Sequence, residues 1–189
     1  MRKKVLAFVL VALFIGTMPA SAQRSGSVPN TGMWAIGGSV GAGAPTDPSL
    51  GGGFNLAGNI ERYMTSRLSI RGQLGGAWND INHRGFTGTI SPVFLDGNVV
   101  YNFESGVWHP YVTGGLGMYR YRSFENLAPS AADTSAGVNA GGGLEYFVNE
   151  RMTATGELLF HSAGQVKTPL ATFGQGNFWT FAVGLKRYF

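Results

Sequence analysis

The chain contains no cysteine. It therefore has no disulfide, no lipid-modified cysteine and no thiolate ligand for a metal. Long apolar runs are missing as well. The strictly apolar stretch Val5–Ile15 is shorter than the roughly 20 residues that a helix needs to cross a bilayer. Helical periodicity is missing too, since no long segment keeps apolar residues at i, i+3, i+4 and i+7. Glycine abounds, 30 of 189 residues, yet no glycine cluster opens a helix, so there is no phosphate-binding loop.

What the first residues do hold is an export pattern. Arg2, Lys3 and Lys4 precede the apolar stretch, Pro19 follows it, and Ala20-Ser21-Ala22 is a small-x-small site before Gln23. This predicts a secretory signal peptide over 1–22, cleaved between Ala22 and Gln23, then a short periplasmic leader at 23–32. The signal also explains the charge. The full chain has 14 Lys and Arg against 10 Asp and Glu. Removing the three cations of the signal leaves 11 against 10, which is no basis for nucleic-acid binding. The expected mature chain, 167 residues, suits one domain.

The last thirteen residues read Asn177-Phe-Trp-Thr-Phe-Ala-Val-Gly-Leu-Lys-Arg-Tyr-Phe189. Trp179, Phe181, Val183, Leu185, Arg187 and Phe189 alternate with Thr180, Ala182, Gly184, Lys186 and Tyr188. A period of two with one apolar and one small or polar face is a strand between two different environments. Similar Gly-rich, alternating segments recur about every twenty residues. They predict eight strands: 33–43, 52–64, 68–79, 89–102, 110–122, 136–148, 152–162 and 177–189. Two hairpins match at an offset of 84 residues, Glu61–Leu74 and Glu145–Leu158, half of an eight-strand cycle. Internal duplication and shared hairpin grammar both account for that match.

The apolar faces fix the register, because both strands of a pair must turn their apolar sets to the same side. A Thr65-Ser66-Arg67 loop pairs Met64 with Leu68 and places Glu61 opposite Arg71. The second hairpin is expected to pair Val148 with Met152, with Leu144, Tyr146, Ala154, Leu158 and Phe160 outward and Glu145, Thr153, Thr155 and Glu157 inward. By parity Glu61, Arg71, Glu145, Glu157 and Lys186 all point inward. Apolar outside with ions inside inverts the pattern of a soluble sandwich and is that of a membrane barrel. The fold expected is all-β, an eight-stranded antiparallel transmembrane up-and-down β-barrel over 33–189. Its lumen is narrow enough for side chains to fill. The five charges are expected to form a packed ionic plug, since buried charges must be paired.

Connections alternate: Thr65–Arg67, Phe103–His109 and Asn149–Arg151 are short, and Ala44–Gly51, Asp80–Gly88, Ser123–Ser135 and Ala163–Gly176 are longer. Short turns belong to the periplasm and long loops to the outside, so both termini are expected to be periplasmic. Aromatic girdles are expected from Trp34, Tyr63, Tyr101, Tyr111, Tyr146 and Phe189 at one interface and Trp78, Tyr119, Tyr121, Phe160 and Trp179 at the other.

With these features the chain resembles the small outer-membrane β-barrel family, the porin-family or opacity-protein-like barrels that share the shape of the OmpA membrane domain. The carrying residues are the 61–68 hairpin, Pro110-Tyr111-Val112-Thr113-Gly114-Gly115-Leu116-Gly117, Gly141-Gly142-Gly143-Leu144-Glu145-Tyr146, and the terminal Val183-Gly184-Leu185-x-x-Tyr188-Phe189. The resemblance implies a multi-pass location in the cell outer membrane and contact with outer-membrane lipid and lipopolysaccharide. It also implies export through the translocon and insertion by the outer-membrane assembly machinery, with Tyr188 and Phe189 as assembly signal. It is poor for activity, because the family includes structural, adhesive and lipid-modifying members.

Candidate chemistry is sparse. Gly37-Gly38-Ser39-Val40-Gly41 matches the nucleophile-elbow pattern but lies within a strand, without the strand–turn–helix setting. Some small outer-membrane barrels are lipid A deacylases with a His-x-Ser pair at the rim. Here His161 and Ser162 are adjacent, which points them to opposite faces, and no acid follows. His161 is therefore expected as a rim histidine near the outer leaflet. His83, His109 and His161 fall on an outer loop, a periplasmic turn and an outer strand end, so they do not converge on a metal. Arg84, Phe86, Phe124, Glu125, Lys167 and Phe173 are outer-loop candidates for lipopolysaccharide phosphate or a host surface, with scattered solvated charge as the blander reading. The expectation is a structural or surface-interaction barrel with an ion-filled lumen and neither catalytic residues, cofactor nor metal. The alternatives are a lipid A-modifying hydrolase using His161 and Ser162, and a narrow passive channel.

Overall fold

The computed structural model describes residues 29–46, 50–83, 86–103, 106–125, 132–164, 166–167, 172–173 and 176–189. The expected signal, its cleavage point Ala22–Gln23, most of the 23–32 leader and Arg84 lie outside them. The strands are β1 (Trp34–Pro45), β2 (Leu50–Tyr63), β3 (Leu68–His83), β4 (Phe86–Asn102), β5 (Trp108–Glu125), β6 (Ala132–Asn149), β7 (Met152–Ala163), β8 (Val166–Lys167), β9 (Thr172–Phe173) and β10 (Asn177–Tyr188).

Eight of them close a barrel in the order β1-β10-β7-β6-β5-β4-β3-β2, each antiparallel to both neighbours. The closing seam runs from Ala35 opposite Tyr188 to Pro45 opposite Phe178. Closure gives every strand two partners, and only closure lets strands cross a bilayer with no unpaired edge. The two faces are inverted relative to a soluble core. Leu116, Leu74, Leu95 and Leu185 stand exposed outside, while Glu61, Arg71, Glu145 and Lys186 are buried inside.

Two apolar clusters divide the interior. Ala35, Tyr63, Phe147 and Tyr188 pack together at the end of the barrel that carries Trp34 and Phe189, here the base. Ala57, Phe94, Tyr119, Tyr121, Ala163 and Phe178 pack towards the far end. Inward glycines make room for the rings. A Cβ on Gly75 would stand 2.4 Å from the Phe94 ring, and one on Gly143 would stand 2.4 Å from the Tyr111 hydroxyl.

The register of the first hairpin is the expected one: Glu61 faces Arg71, and the Met64 amide donates to the Leu68 carbonyl at 2.8 Å. The second hairpin departs from expectation. Phe147 faces Thr153, but Asn149 rather than Val148 faces Met152, with a register shift between Phe147 and Asn149. The Arg151 amide donates to the Asn149 side chain at 2.9 Å. That local bond favours a tight turn, and Val148 becomes the extra residue of a bulge.

The expected loops also shorten, because the ladder outruns the apolar pattern. β3 and β4 pair up to His83 opposite Phe86, and β5 and β6 include much of the expected Ser123–Ser135 loop. Hydrogen bonding continues where side-chain alternation no longer signals it. The expected Ala163–Gly176 loop contains the two-residue pair β8–β9.

The girdles need correction as well. Tyr63, Tyr111, Tyr119 and Tyr121 are buried in the interior, on the inward parity of their strands. Trp34, Tyr101, Trp78 and Trp179 do face outward, joined by Phe103 and Trp108.

The lumenal network as candidate functional site

Alternation along β2, β3, β6, β7 and β10 brings all five sequence-predicted charges together. Arg71 Nε donates to Glu61 Oε2 at 3.1 Å, and Arg71 Nη1 reaches Glu157 Oε2. Lys186 Nζ donates to Glu61 Oε2 at 2.7 Å and also reaches Glu145 Oε1. The chain of charges thus runs Glu157–Arg71–Glu61–Lys186–Glu145 across the lumen.

Three carboxylates meet two cations, and neutral donors serve the surplus negative charge. The Tyr111 hydroxyl donates to Glu157 at 2.8 Å and the Tyr188 hydroxyl to Glu145 at 2.5 Å. The Ser69 hydroxyl donates to Glu61, and that of Thr153 reaches Glu145 at 3.5 Å. The Arg71 guanidinium also lies over the Tyr111 ring, 5.1 Å from its centroid. Such saturation is what a buried ion network needs, since an unpaired charge here costs several kcal/mol.

Of these hydroxyls, sequence reasoning placed that of Thr153 inward and did not bring Ser69, Tyr111 or Tyr188 into the network. Tyr188, on the same face of β10 as Lys186, turns inward against Glu145 and Tyr63, 3.2 Å from the Tyr63 hydroxyl. Phe189 remains exposed. Parity could have found Tyr63 and Tyr188, which share faces with Glu61 and Lys186.

A second layer closes the lumen nearer the far end, and sequence reasoning missed it altogether. His161 is not at the rim but fully buried, because it shares parity with the inward Glu157. Its ring stacks on Phe178 with centroids 4.5 Å apart and 7° between planes, and Phe94 lies 5.1 Å away. Nδ1 meets the Tyr119 hydroxyl at 3.1 Å and Nε2 the Thr180 hydroxyl at 3.2 Å. The Asp96 carboxylate is 3.7 Å from Nδ1. Every hydrogen-bond partner of the ring is thus another interior side chain. His109 is likewise buried in β5 rather than in a turn, with Nε2 2.9 Å from the Gly106 carbonyl. Ser39 is an ordinary residue of β1, opposite Gly184.

An ion-filled lumen inside an apolar exterior is the arrangement of outer-membrane barrels, and comparison with known proteins agrees. The sequence profile described as outer membrane protein beta-barrel domain matches residues 8–189. The chain belongs to this outer-membrane β-barrel family. Solved members of similar fold include Neisserial surface protein A, with a TM-score of 0.66 and 15% identity over 83% of this chain and 97% of that one. OprG of Pseudomonas aeruginosa has a TM-score of 0.62 and 16% identity over 87% and 99%. Ail, the attachment invasion locus protein of Yersinia pestis, has a TM-score of 0.58 and 10% identity over 84% and 99%. No curated protein matches. The family places the chain in the outer membrane, and the neighbours share its closed antiparallel barrel.

Proposed function

We propose that this outer-membrane barrel is a closed structural or surface-interaction protein, with both termini periplasmic and its longer connections outside. The observation that carries this reading is the pair of lumenal layers. The network Glu157–Arg71–Glu61–Lys186–Glu145 and the cluster Phe94–Tyr119–His161–Phe178 lie one after the other along the lumen. A lumen filled twice is a poor conduit and a rigid scaffold. The names of two barrels of similar fold, a surface protein and an attachment invasion protein, are in keeping with a surface role. Lipopolysaccharide and outer-membrane lipid would be its surroundings, with Phe189 read by the assembly machinery after export through the translocon.

Planar-bilayer recording tests this reading. Folded protein, identified by a band that moves on boiling, is expected to give no steady conductance, and sustained unitary steps would overturn it in favour of the narrow channel. The hydrolase alternative requires His161 and Ser162 to work together. His161 instead bonds Tyr119 and Thr180. Replacing both residues with Ala is expected to leave lipid A acylation unchanged, and a loss of deacylation would restore the enzyme reading.

A further inference from the structure

Among the described strand residues the acids lie inside, where Arg71 and Lys186 pair with Glu61, Glu145 and Glu157, and the outward face carries charge of one sign. Among the described side chains, Glu61, Asp96, Glu145 and Glu157 all lie on inward parity. Among the described side chains the outward faces of the strands carry Arg62, Arg120 and Arg187 and no acid. Two of these three arginines flank one place, the barrel seam at the base. Arg62 of β2 pairs across with Trp34 of β1, and its guanidinium lies 5.2 Å from the Trp34 ring centroid. Arg187 of β10 pairs with Ile36 of β1 on one side and Met152 of β7 on the other, and lies 5.2 Å from the Phe189 ring. Trp34 and Phe189 are themselves joined by two backbone bonds, 3.3 and 2.8 Å, so the four side chains share one patch.

The rest of the base differs. Around β4, β5 and β6 the outward base positions are Tyr101, Phe103, Trp108 and Tyr146, aromatic pairs with centroids 5.1 and 4.6 Å apart. One side of the rim is therefore aromatic alone and the other is arginine on aromatic. Outside the lumen, Glu150 in the β6–β7 turn is the acid side chain described at this end.

Arginine at a bilayer interface keeps its stem in the apolar zone and its planar fork at headgroup depth, where it binds phosphate through paired N–H donors. A ring beneath the guanidinium holds it without neutralising it. We propose that Arg62 and Arg187, set on Trp34 and Phe189, form a seat for the phosphodiester of an anionic glycerophospholipid in the leaflet at the base. Its acyl chains would run along Ile36, Ile60 and Leu185, all exposed on the same outward surface. The leaflet assignment rests on the proposed periplasmic orientation of the termini; the seat itself does not.

The test uses full-length barrel reconstituted in phosphatidylcholine vesicles, with Trp78, Trp108 and Trp179 replaced by Phe so that Trp34 reports alone. Brominated phosphatidylglycerol is compared with brominated phosphatidylcholine as quencher. Trp34 is expected to prefer the anionic lipid by about fivefold or more, fivefold being the order that a single arginine near a charged lipid produces. The Arg62→Gln/Arg187→Gln protein should lose the preference, and Arg120→Gln, altered at the other end, should keep it. Equal quenching by both lipids, or a preference that survives the double substitution or falls equally with Arg120→Gln, overturns the seat. Gel migration of boiled and unboiled samples separates the two readings. A barrel that shifts but shows no preference sinks only the seat, whereas one that never shifts sinks the barrel reading.

Discussion

Glu61 and Glu145, 84 residues apart in the chain, grip the same Lys186 ammonium from two different hairpins of the barrel. The match between hairpins extends around them. Ser69 and Thr153, each eight residues on, hydrogen-bond the respective glutamates. Tyr63 and Phe147, each two residues on, both pack against Tyr188, with ring centroids 5.8 and 5.6 Å away. A repeat in sequence thus becomes a quasi-symmetric clamp on the last strand, where β10 supplies Lys186 and Tyr188 to both halves.

Lys186 should therefore be the least replaceable charge in the barrel. Lys186→Met leaves Glu61 and Glu145 facing each other across an interior with one cation, Arg71, which Glu157 shares. Breaking a buried pair in this way costs about 3–5 kcal/mol. Adding Glu61→Gln and Glu145→Gln removes the stranded charges and should recover much of that loss. The temperature at which the folded band converts to the unfolded position on a gel measures both. A single substitution as stable as the parent would show that the clamp contributes nothing.

Much of this was legible because a strand's period of two needs no tertiary information. The faces of β10, the Glu61–Arg71 pairing and the convergence of five charges all follow from parity and an apolar exterior. Parity also held Tyr63 and His161, but their residue types suggested other places: tyrosine an interface girdle, histidine a rim. Where side-chain alternation stops, as beyond Asn79 in β3, nothing in the sequence marks how far the backbone ladder runs. The bulge at Val148 depends on a local bond from Arg151 to Asn149 that apolar matching does not weigh.

The glycines separate into two kinds that substitution can distinguish. Gly75→Ala places a Cβ 2.4 Å from the Phe94 ring and 2.9 Å from Ala57, and overpacking of this sort costs about 1–3 kcal/mol. Phe94→Leu in the same chain should relieve much of the clash. Gly97, on the outward face of β4, has nothing within 4 Å of its Cβ position, so Gly97→Ala should be neutral or slightly stabilising by restricting the unfolded chain. Urea midpoints of the folded barrel in one lipid, compared across the three proteins, check the ordering. Equal losses at Gly75 and Gly97 would refute it.

Depth in the bilayer gives a further contrast. Leu116 lies near the middle of β5 and is the most exposed large apolar residue described, at 71%. Trp108 begins the same strand at the base, also facing outward. Leu116→Arg should cost about 2–4 kcal/mol and Trp108→Arg about 0–1 kcal/mol from charge placement, because the penalty for arginine on the lipid face falls towards the interface. Urea titration in vesicles measures the difference. A larger loss at Trp108 would mean that the transmembrane band is placed wrongly along β5.

Two seals in series make a stronger claim than one, because each can be opened alone. Phe94→Ala/Phe178→Ala removes the rings that hold His161 and leaves the ionic network intact, so bilayers should stay silent. Glu61→Ala/Glu145→Ala/Lys186→Ala removes charge and bulk together and strands no carboxylate on the lysine, leaving Arg71 with Glu157; the aromatic layer should still close the lumen. Only the five-fold variant should conduct. Its fold must be confirmed by the boiled-to-unboiled shift, since large-to-small changes in a packed interior cost about 2–5 kcal/mol each. Conductance from the ring variant alone would place the whole barrier in the Phe94–Phe178 layer and leave the ions a purely stabilising role. Conductance from the charge variant alone would place it in the Lys186 clamp. The layered closure requires silence from both and current from their combination.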